Sequence, residues 1–582
     1  MNNFTTCPLD CFDGCSVILE NGKLKGDKTH PITKGFLCPH LNNWFNHKRL
    51  EFASFDGKKI TLDEAKNILL EKLKNTPKEK ILFYKGSGNL GLMQNISKLF
   101  FSQIGAIVAK GSLCDEAGGV GIEEGRGANL ALSPLHVNKS EVVIIWGRDI
   151  NIANSHMMPA LSGKTLITID VIKTPIAKRS KLFLHVKPKS DIYLAFLLSR
   201  IALLEDIQDS DFIKSKTENF EEFKEFIEFM PIVKLSKKCG ISLQEIGDFL
   251  NIIKGKKVSI LVGTAVQRYN FGHSVLRAID SFAATLGLFG KVGTGVTYLS
   301  NSALGFKNPF NINTKRDSLV NADFSKYDLV FIQGANPAVS MPSSLKAISE
   351  LKKVPFLVYF GLHVNKTSAL ANLSIPAKSF LEKEDIKYSY GHEYIGFMDA
   401  LEKNENALSE YELMTFLMDN FDISYKTVKE YIDESLNENV AFRDNLPINK
   451  MYEEYPYKSG FYTKSKKFIF LDEFEDLFDL NEEMGDFYCI FQKSLHSLNS
   501  QFNVKTEVFV PSEIGFFDND EVMVKSRFGE AKFIVKTDDD LHKDTILIFA
   551  GNEKSNYITP PFTSQKGDCA IFQDFKVTLT KV

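Results

Sequence analysis

The chain opens with TTCPLDCFDGC at residues 5–15, and the short stretch GFLC follows at residues 35–38. These two stretches hold half of the chain's eight cysteines, namely Cys7, Cys11, Cys15 and Cys38. The spacing is C-x3-C-x3-C and then, after 22 residues, the fourth cysteine. Three thiolates therefore lie on one short loop, and the fourth returns to them from beyond a hairpin. Three close cysteines and one distant cysteine favour ligation of an iron–sulfur cluster.

Three other interpretations of these cysteines stay open from the residues alone. Structural zinc sites usually take their ligands from two C-x2-4-C arms, whereas three of these four come from one run. Disulfides need an oxidising compartment, but MNNFTTCPLD at the start has no basic stretch, no apolar stretch and no twin arginine, so we expect a cytoplasmic protein. Buried, unconnected cysteines fit poorly with a segment rich in Gly, Pro, Asp and Asn.

Length and composition indicate an ordinary globular protein with several domains. At 582 residues the chain is too long for one hydrophobic core, and we expect about three or four domains. It is 44% hydrophobic and 25% charged, with a formal net charge of −3. This charge gives no electrostatic reason to expect nucleic acid as a partner. Since no apolar run approaches the roughly 18 residues of a spanning helix, we also expect no direct membrane insertion.

Six short apolar runs predict an α/β body. Each run ends at Gly or Asp, and stretches with helical periodicity separate them; the runs begin at residues 81, 142, 165, 258, 329 and 356. Such runs are typical of parallel strands that are buried on both faces of a sheet. We predict two doubly wound α/β units, the first of which begins with a helix that a capping box at Thr61–Glu64 opens.

From about residue 486 the pattern changes to short alternating segments between turn signals. EVMVKS at 521–526, AKFIVKT at 531–537 and TILIFAG at 545–551 are examples. Short strands at regular spacing predict a closed C-terminal β-barrel. The acidic, helical segment at about 400–470 is expected to connect this barrel to the α/β body.

The loops that follow the predicted strands are candidate ligand-binding segments, because open parallel sheets bind ligands where their strands end. Tyr84–Asn89 and Gly334–Pro337 offer backbone amides and small polar side chains, which suit phosphates and purines. A glycine at a strand end is also commonly just a turn. Asp170 could contact a ribose or a guanine or could be a solvated turn residue, and Asp191 could simply cap a helix.

Cys114 is the remaining cysteine with a chemical interpretation. It lies in GSLCDEAGG at residues 111–119, where acids and glycines indicate a turn. It is either a metal ligand or an inert buried thiol, which is the state we expect for the other three cysteines, Cys239, Cys489 and Cys569.

The order of these motifs resembles the molybdopterin oxidoreductases of the dimethyl-sulfoxide-reductase superfamily along almost the whole chain. Further stretches that carry the resemblance are HPITKGFLC, WGRDINIANSHMM, IDVIKTPIAKRSKLFLHVKPKSD, QRYNFGHSVLRAIDSFAATLGLFGKVGTG, GANPAVSMP, ANLSIPAKSFLEKED and GNEKSNYIT. Each is weak alone, but together they follow the superfamily's order. Within the superfamily, the chain resembles a poorly characterised cytoplasmic branch with a CPLDC opening.

This resemblance implies a multidomain α/β fold with five parts. They are a [4Fe-4S] domain at 1–56, a first α/β pterin-binding domain from 57–110 and 300–400, a second α/β nucleotide-binding domain at 111–299, a connecting helical segment at 401–485, and a barrel of the double-psi type at 486–582. The barrel is expected to close over the cofactor.

The resemblance also implies the cofactors and the residues that hold them. A [4Fe-4S] cluster would lie on the four N-terminal cysteines, and two molybdopterin guanine dinucleotides would hold Mo or W with Cys114 as the protein ligand. The implied cofactor-binding residues are His40, Trp146, Gly147, Asp170, Thr174, Asp191, Gly334, Asn336, Glu382, Asp385 and Asn556. Asp115, Glu116 and His156 are the candidate proton carriers, although a loop histidine such as His156 can also be purely structural.

Some residues depart from the family pattern. Many relatives have Lys or Arg two residues after the last cluster cysteine, where this chain has His40. The usual Asp-Pro-Arg is Asp-Val-Ile at residues 170–172, and formate dehydrogenases have His beside the metal ligand where this chain has Asp115. Formate is therefore not a favoured substrate.

The expected function is two-electron oxidation or reduction of a small substrate, with electrons leaving through the cluster to a ferredoxin or a small iron–sulfur subunit. A non-redox hydratase or transhydroxylase on the same cofactor is the first alternative. An electron-transfer subunit that has lost the metal is the second.

Overall fold

The computed structural model describes residues 3–301, 303–452, 455–474, 485–495, 497–501 and 505–582. The predicted fold class is confirmed. Two predominantly parallel sheets with helices around them form the body, a small antiparallel sheet carries the first three cysteines on a loop, and a closed barrel follows at the C-terminal end.

The N-terminal segment forms a three-stranded antiparallel sheet. Its strands are Phe4–Thr6, Ser16–Glu20 and Lys23–Gly26, and the short helix Pro39–Asn42 follows Cys38. The loop between the first two strands carries three cysteines and is closed by the amide of Cys7, which donates to the carbonyl of Cys15 over 2.9 Å. The sheet therefore brings the ends of the cysteine loop together.

The larger body sheet has eight strands. In spatial order they are Arg316–Ser318, Ile107–Lys110, Ile81–Lys85, Leu329–Gln333, Phe356–Gly361, Leu373–Pro376, Ala53–Phe55 and Lys58–Ile60. The first six are parallel, and the last two form an antiparallel hairpin at the edge. The α-helices near it in sequence are Leu62–Asn75, Ile96–Gln103, Pro337–Ser340, Ser344–Leu351, Glu410–Asp419 and Val428–Leu436. The capping box at Thr61–Glu64 is confirmed.

The smaller body sheet has five parallel strands. Their order is Leu182–His185, Thr165–Asp170, Val142–Trp146, Val258–Val262 and Gly295–Thr297. The α-helices from this part of the chain are Glu116–Arg126, Pro134–Val137, Asp191–Leu204, Ser210–Lys216, Phe220–Phe229, Ile232–Cys239, Leu243–Ile253 and Gly272–Thr285. The strands Val142–Trp146 and Val258–Val262 are buried at every position, as expected for a sheet that is covered on both faces.

Three short strand pairs complete the body. Thr217–Glu218 pairs with Phe468–Ile469, Asp385–Tyr388 with Ile395–Met398, and Val440–Arg443 with Leu446–Asn449. The domain limits given above stay predictions, and residues 475–484 of the predicted connecting segment lie outside the described residues.

The C-terminal strands form the predicted closed barrel. Around the barrel they are Phe487–Gln492, Thr545–Phe549, Glu507–Val510, Gly529–Thr537, Glu521–Ser526 and Lys576–Lys581. Alternating residues such as Val522 and Val524 are fully buried in its interior. Among the described residues, no helix combines the length and the apolar character that crossing a bilayer requires.

Candidate cofactor and metal sites

Two cavities lie where the parallel strands of the body sheets end. The larger has a volume of about 630 Å³ and is lined by the loops 86–89, 334–336 and 361–366, which follow strands of the larger sheet. The smaller, of about 170 Å³, is lined by the loops 147–149, 170–172 and 263–266 of the smaller sheet. Both cavities are therefore at the edge where α/β sheets bind ligands.

Glycines allow the strand-end loops of the larger cavity to approach one another. A Cβ at Gly86 would lie 2.5 Å from the carbonyl oxygen of Gly334, so the two loops cross in direct backbone contact. Gly334 itself has φ +53°, and a Cβ there would meet no atom within 4 Å. This loop consequently presents bare backbone to open space, which is a surface that a large planar or phosphorylated ligand can cover.

The same feature occurs in the smaller cavity. A Cβ at Gly263 would lie 1.8 Å from the carbonyl oxygen of Gly147, and one at Gly147 would lie 2.5 Å from Val266. Side chains are thereby excluded from the place where the two loops cross.

Cys114 lines both cavities. It lies in the loop between the strand Ile107–Lys110 and the helix Glu116–Arg126, with its amide donating to Ser112 Oγ over 3.0 Å. Its carbonyl accepts a hydrogen bond of 2.7 Å from Gln267 Nε2. Burial, together with the charge of Asp115, raises the pKa of the Cys114 thiol. A half-buried thiol held at the junction of two cavities suits ligation of a soft metal, whose charge would offset the cost of the thiolate.

The two acids after Cys114 differ in position. Asp115 lines the larger cavity and accepts a hydrogen bond of 3.0 Å from the Ser112 hydroxyl. Burial and the negative charge of Asp10 raise the pKa of Asp115 to about 6. Glu116 is exposed and lines neither cavity.

The four N-terminal cysteines all line the smaller cavity, as does His40. Cys7 and Cys15 are buried, Cys11 and Cys38 are half-buried, and all four are free thiols. Burial, with a further contribution from Cys38, raises the pKa of Cys7 to about 12. Four convergent thiols in such a pocket are unfavourable as bare thiolates and become favourable around a cationic cluster, so the donor set fits iron and sulfur.

His156 lies beside Cys15, one of the four N-terminal cysteines. Its Nδ1 is 2.9 Å from Asp13 Oδ2 and 3.8 Å from Cys15 Sγ, and its Nε2 is 3.1 Å from the carbonyl oxygen of Phe36. Asp13, Cys15 and His156 form a buried group of metal-ligand type. His156 lines neither cavity. Its contacts place it at the cysteine loop instead.

The nucleotide-binding candidates of the smaller sheet lie in two places. Trp146 Nε1 donates to Asp191 Oδ1 over 2.7 Å, and Asp191 and Asp170 line the smaller cavity. Burial raises the pKa of Asp170 to about 7 and that of Asp191 to about 6. Thr174 lines neither cavity, and its hydroxyl accepts from the amide of Ala177.

Asn336 and Asn556 both line the larger cavity. Asn336 Oδ1 accepts from Thr367 Oγ1 over 2.8 Å, and its amide nitrogen donates to Ser500 Oγ over 3.3 Å. Asn556 Nδ2 donates to the carbonyl of Val339 over 2.6 Å. The barrel side of the cavity is thus tied to the loop that follows Gly334.

Glu382 and Asp385 line neither cavity. The Glu382 carboxylate forms a bidentate ion pair with Arg49, with distances of 2.7 and 2.8 Å, and also accepts from the amide of Ser379. Asp385 Oδ1 accepts from the amides of Met93 and Ile386. Both acids support the loops around the larger cavity in this structure.

Several residues at the sites were missed by sequence reasoning. Asp10, Arg268 and Tyr390 line both cavities together with Cys114. The ammonium of Lys387, which is 1% exposed, donates to the carbonyl of Leu9 over 2.7 Å, within the cysteine loop. Asp10 could have been noticed as the acid inside CPLDC, but nothing local marks the others.

Comparison with known proteins agrees with this geometry. The family model described as molybdopterin oxidoreductase matches residues 56–418. The probable oxidoreductase YyaE of Bacillus subtilis is 24% identical, over 94% of each chain. The F420-dependent formate dehydrogenase subunit alpha of Methanocaldococcus jannaschii is 25% identical, over 65% of this chain and 64% of its own.

Among solved structures, acetylene hydratase from Pelobacter acetylenicus has the same fold, with a TM-score of 0.77 at 16% identity over 98% of this chain and 96% of its own. The family model covers well over half of the described chain. The chain therefore belongs to the molybdopterin oxidoreductase family of the dimethyl-sulfoxide-reductase superfamily, whose members are enzymes that use a molybdenum or tungsten pterin cofactor.

Proposed function

We propose that this chain is a catalytic subunit that oxidises or reduces a small substrate by two electrons and exchanges these electrons singly, through one [4Fe-4S] cluster, with an iron–sulfur partner. The observation that carries the proposal is the position of Cys114. It lines both strand-end cavities, and the smaller of these also contains the four N-terminal cysteines. The candidate metal ligand therefore lies beside both cavities and beside the four thiols that would bind the cluster.

The cofactor would be held by both strand-end edges. Gly147, Asp170 and Asp191 would bind one guanine-dinucleotide half, with Trp146 holding Asp191 through its indole N–H. Thr174, which lines neither cavity, would support the loop after Asp170. Gly334, Asn336 and Asn556 would bind the other, with Glu382 and Asp385 supporting their loops. When bound, the molybdenum or tungsten pterin supplies the two-electron chemistry, while the protein positions the substrate and excludes water.

Asp115 is the proton carrier that fits the larger cavity. Its pKa, raised to about 6 by burial and by Asp10, allows its carboxyl group to hold or release a proton near neutral pH. We assign His156 to the cluster, because its ring contacts Cys15. Glu116 is exposed, so a role in proton exchange with solvent suits it better than contact with substrate.

A dye-coupled substrate screen on anaerobically purified protein tests this function. We expect at least one small substrate to reduce an oxidised viologen, or to be reduced by a reduced one, in proportion to the molybdenum or tungsten content. Product formation without any change in the dye would instead establish a non-redox hydratase or transhydroxylase. The variant Asp115→Asn should lower turnover by about 10²–10⁴-fold with unchanged metal content, as expected for loss of a general acid or base.

A further inference from the structure

The N-terminal sheet and the loop that leads to Cys38 form a positively charged surface, which we call the lysine surface. Between residues 16 and 38 the exposed charged residues are Lys23, Lys25, Lys28, Lys34 and Glu20. Asp27, the other acid of this segment, is buried. The four exposed lysines outnumber the one exposed glutamate. This surface is therefore positive, although the whole chain has a net charge of −3.

Close backbone contacts bring two of these lysines, Lys28 and Lys34, near one aromatic residue. A Cβ at Gly26 would lie 2.7–2.8 Å from the backbone of Gly35 and Phe36, so the end of the third strand touches the loop before Cys38. The stem of Lys28 packs on Gly35, since a Cβ there would lie 2.8 Å from Lys28 Cγ. Lys28 and Lys34 consequently flank Phe36, which is 38% exposed.

Phe36 links this surface to a cysteine of the cluster site. Its ring stacks on the ring of His156 with centroids 3.9 Å apart and planes 14° apart. His156 Nδ1 is 3.8 Å from Cys15 Sγ, and the histidine side chain has no exposed area. These two contacts link an exposed ring to a sulfur atom in the cysteine loop.

We propose that the lysine surface docks an acidic iron–sulfur electron carrier, and that electrons leave the chain beside Phe36. This inference rests on the proposed function, because it requires a cluster on the four cysteines. In each transfer the reduced cluster of this chain loses one electron and the oxidised cluster of the carrier gains it. No bond forms or breaks, and no proton has to move.

Charge complementarity is the reason for an acidic carrier. A chain with an overall negative charge repels an acidic protein at long range, but a local positive surface steers it to one orientation and accelerates its encounter. Aromatic side chains are also enriched at protein interfaces, so Phe36 suits a contact at the centre of this surface. Docking here would place the two clusters close together.

The test is rapid mixing of the dithionite-reduced holoenzyme with an oxidised, acidic 2[4Fe-4S] ferredoxin. The variant K23E/K28E/K34E reverses three charges of the lysine surface, and K352E/K353E/K543E reverses three exposed lysines elsewhere. At low ionic strength we expect the first variant to lower the second-order rate at least tenfold and the control to leave it nearly unchanged. The difference should shrink as salt is added. Equal rates for the two variants would overturn the proposal.

A binding measurement separates this inference from the proposed function. Labelled ferredoxin is titrated into the purified protein. This titration measures docking directly, and it does not require the chain to contain its iron–sulfur cluster. We expect Phe36→Ala to weaken binding about tenfold, whereas Phe45→Ala, at a phenylalanine that is 51% exposed, should not. Unaltered binding in F36A and in K23E/K28E/K34E would overturn the docking surface. If wild-type protein purified anaerobically binds ferredoxin normally but contains no iron, the docking surface stands and the proposed function is contradicted.

Discussion

At the scale of single residues, the acids around the sites are the most distinctive feature. Asp385 is 1% exposed and has one oxygen bound by two backbone amides, while Oδ2 has no hydrogen-bond partner within the described part of the chain. Burial raises the pKa of Asp385 to about 7. Ionisation of this carboxyl is thus costly in the cofactor-free protein.

Asp385 should therefore make stability depend on pH. Its pKa is about 7 in the folded protein and 3.8 as the ordinary value, so its stabilising contribution is complete below about pH 4 and is lost as the pH rises to about 7. The amide side chain of the variant Asp385→Asn cannot ionise. As the pH rises from about 4 to about 7, the free energy of unfolding of this variant should therefore rise by about 2–4 kcal/mol relative to that of wild type.

Urea unfolding of cofactor-free protein at both ends of this range measures the effect. Asp328→Asn is the control, because Asp328 is exposed. If D385N and wild type lose stability in parallel as the pH rises, the buried carboxyl does not titrate as described.

Residue roles were only partly predictable from the sequence. Cys114 was a candidate because of the acids and glycines around it, and the structure places it at both cavities. Glu382 was matched to a cofactor by motif alone, but its carboxylate is bound to Arg49, which is 333 positions away. Such a partner is set by how distant loops pack, and no local pattern reveals it.

At the scale of elements, the strand-end loops determine whether a cofactor can bind. The loops after Trp146 and Val262 cross at Gly147 and Gly263 with no room for a side chain. Apolar strands could be predicted because burial on both faces requires continuous hydrophobic runs. The crossing could not be predicted, since it depends on how two strands far apart in sequence are paired.

Gly263→Ala should therefore disrupt the smaller cavity. Its methyl group would lie 1.8 Å from the carbonyl oxygen of Gly147, so one of the two loops must move. We expect a loss of pterin and of molybdenum or tungsten, and destabilisation by about 1–3 kcal/mol, as for overpacking elsewhere.

Gly247→Ala is the matched control, because Gly247 lies in the helix Leu243–Ile253 and a Cβ there meets no atom within 4 Å. This change should stabilise the protein by about 0.5–1 kcal/mol. Pterin content per chain and the unfolding midpoint check both variants. Normal pterin content in G263A would show that the crossing does not shape the site.

At the scale of the whole molecule, the cysteine loop is held by a hairpin that comes from much later in the chain. The ammonium of Lys387 donates to the carbonyl of Leu9, Ser389 Oγ donates to the carbonyl of Phe12 over 2.6 Å, and the ring of His392 contacts the carbonyl of Asp13. The sequence predicts the N-terminal unit and its four cysteines. It does not reveal that residues 385–398, far along the chain, support the cysteine loop.

Lys387→Met should lower the iron content while the rest of the chain stays folded. It removes a buried cation and leaves the carbonyl of Leu9 without this donor, so the cysteine loop loses its support. Iron per chain and circular dichroism measure the effect, with Lys536→Met in the barrel as the control. Full iron occupancy in K387M would contradict a role for this hairpin in cluster binding.

We propose that one chain holds both an iron–sulfur cluster and a Cys114-ligated metal. Elemental and pterin analysis of anaerobically purified wild type and Cys114→Ser tests it directly. We expect about four iron atoms, about one molybdenum or tungsten atom and about two pterins per wild-type chain. In C114S the iron should remain, and the molybdenum or tungsten should be largely lost. Zinc in place of iron, or iron with no molybdenum or tungsten in wild type from a cofactor-competent host, would contradict the account.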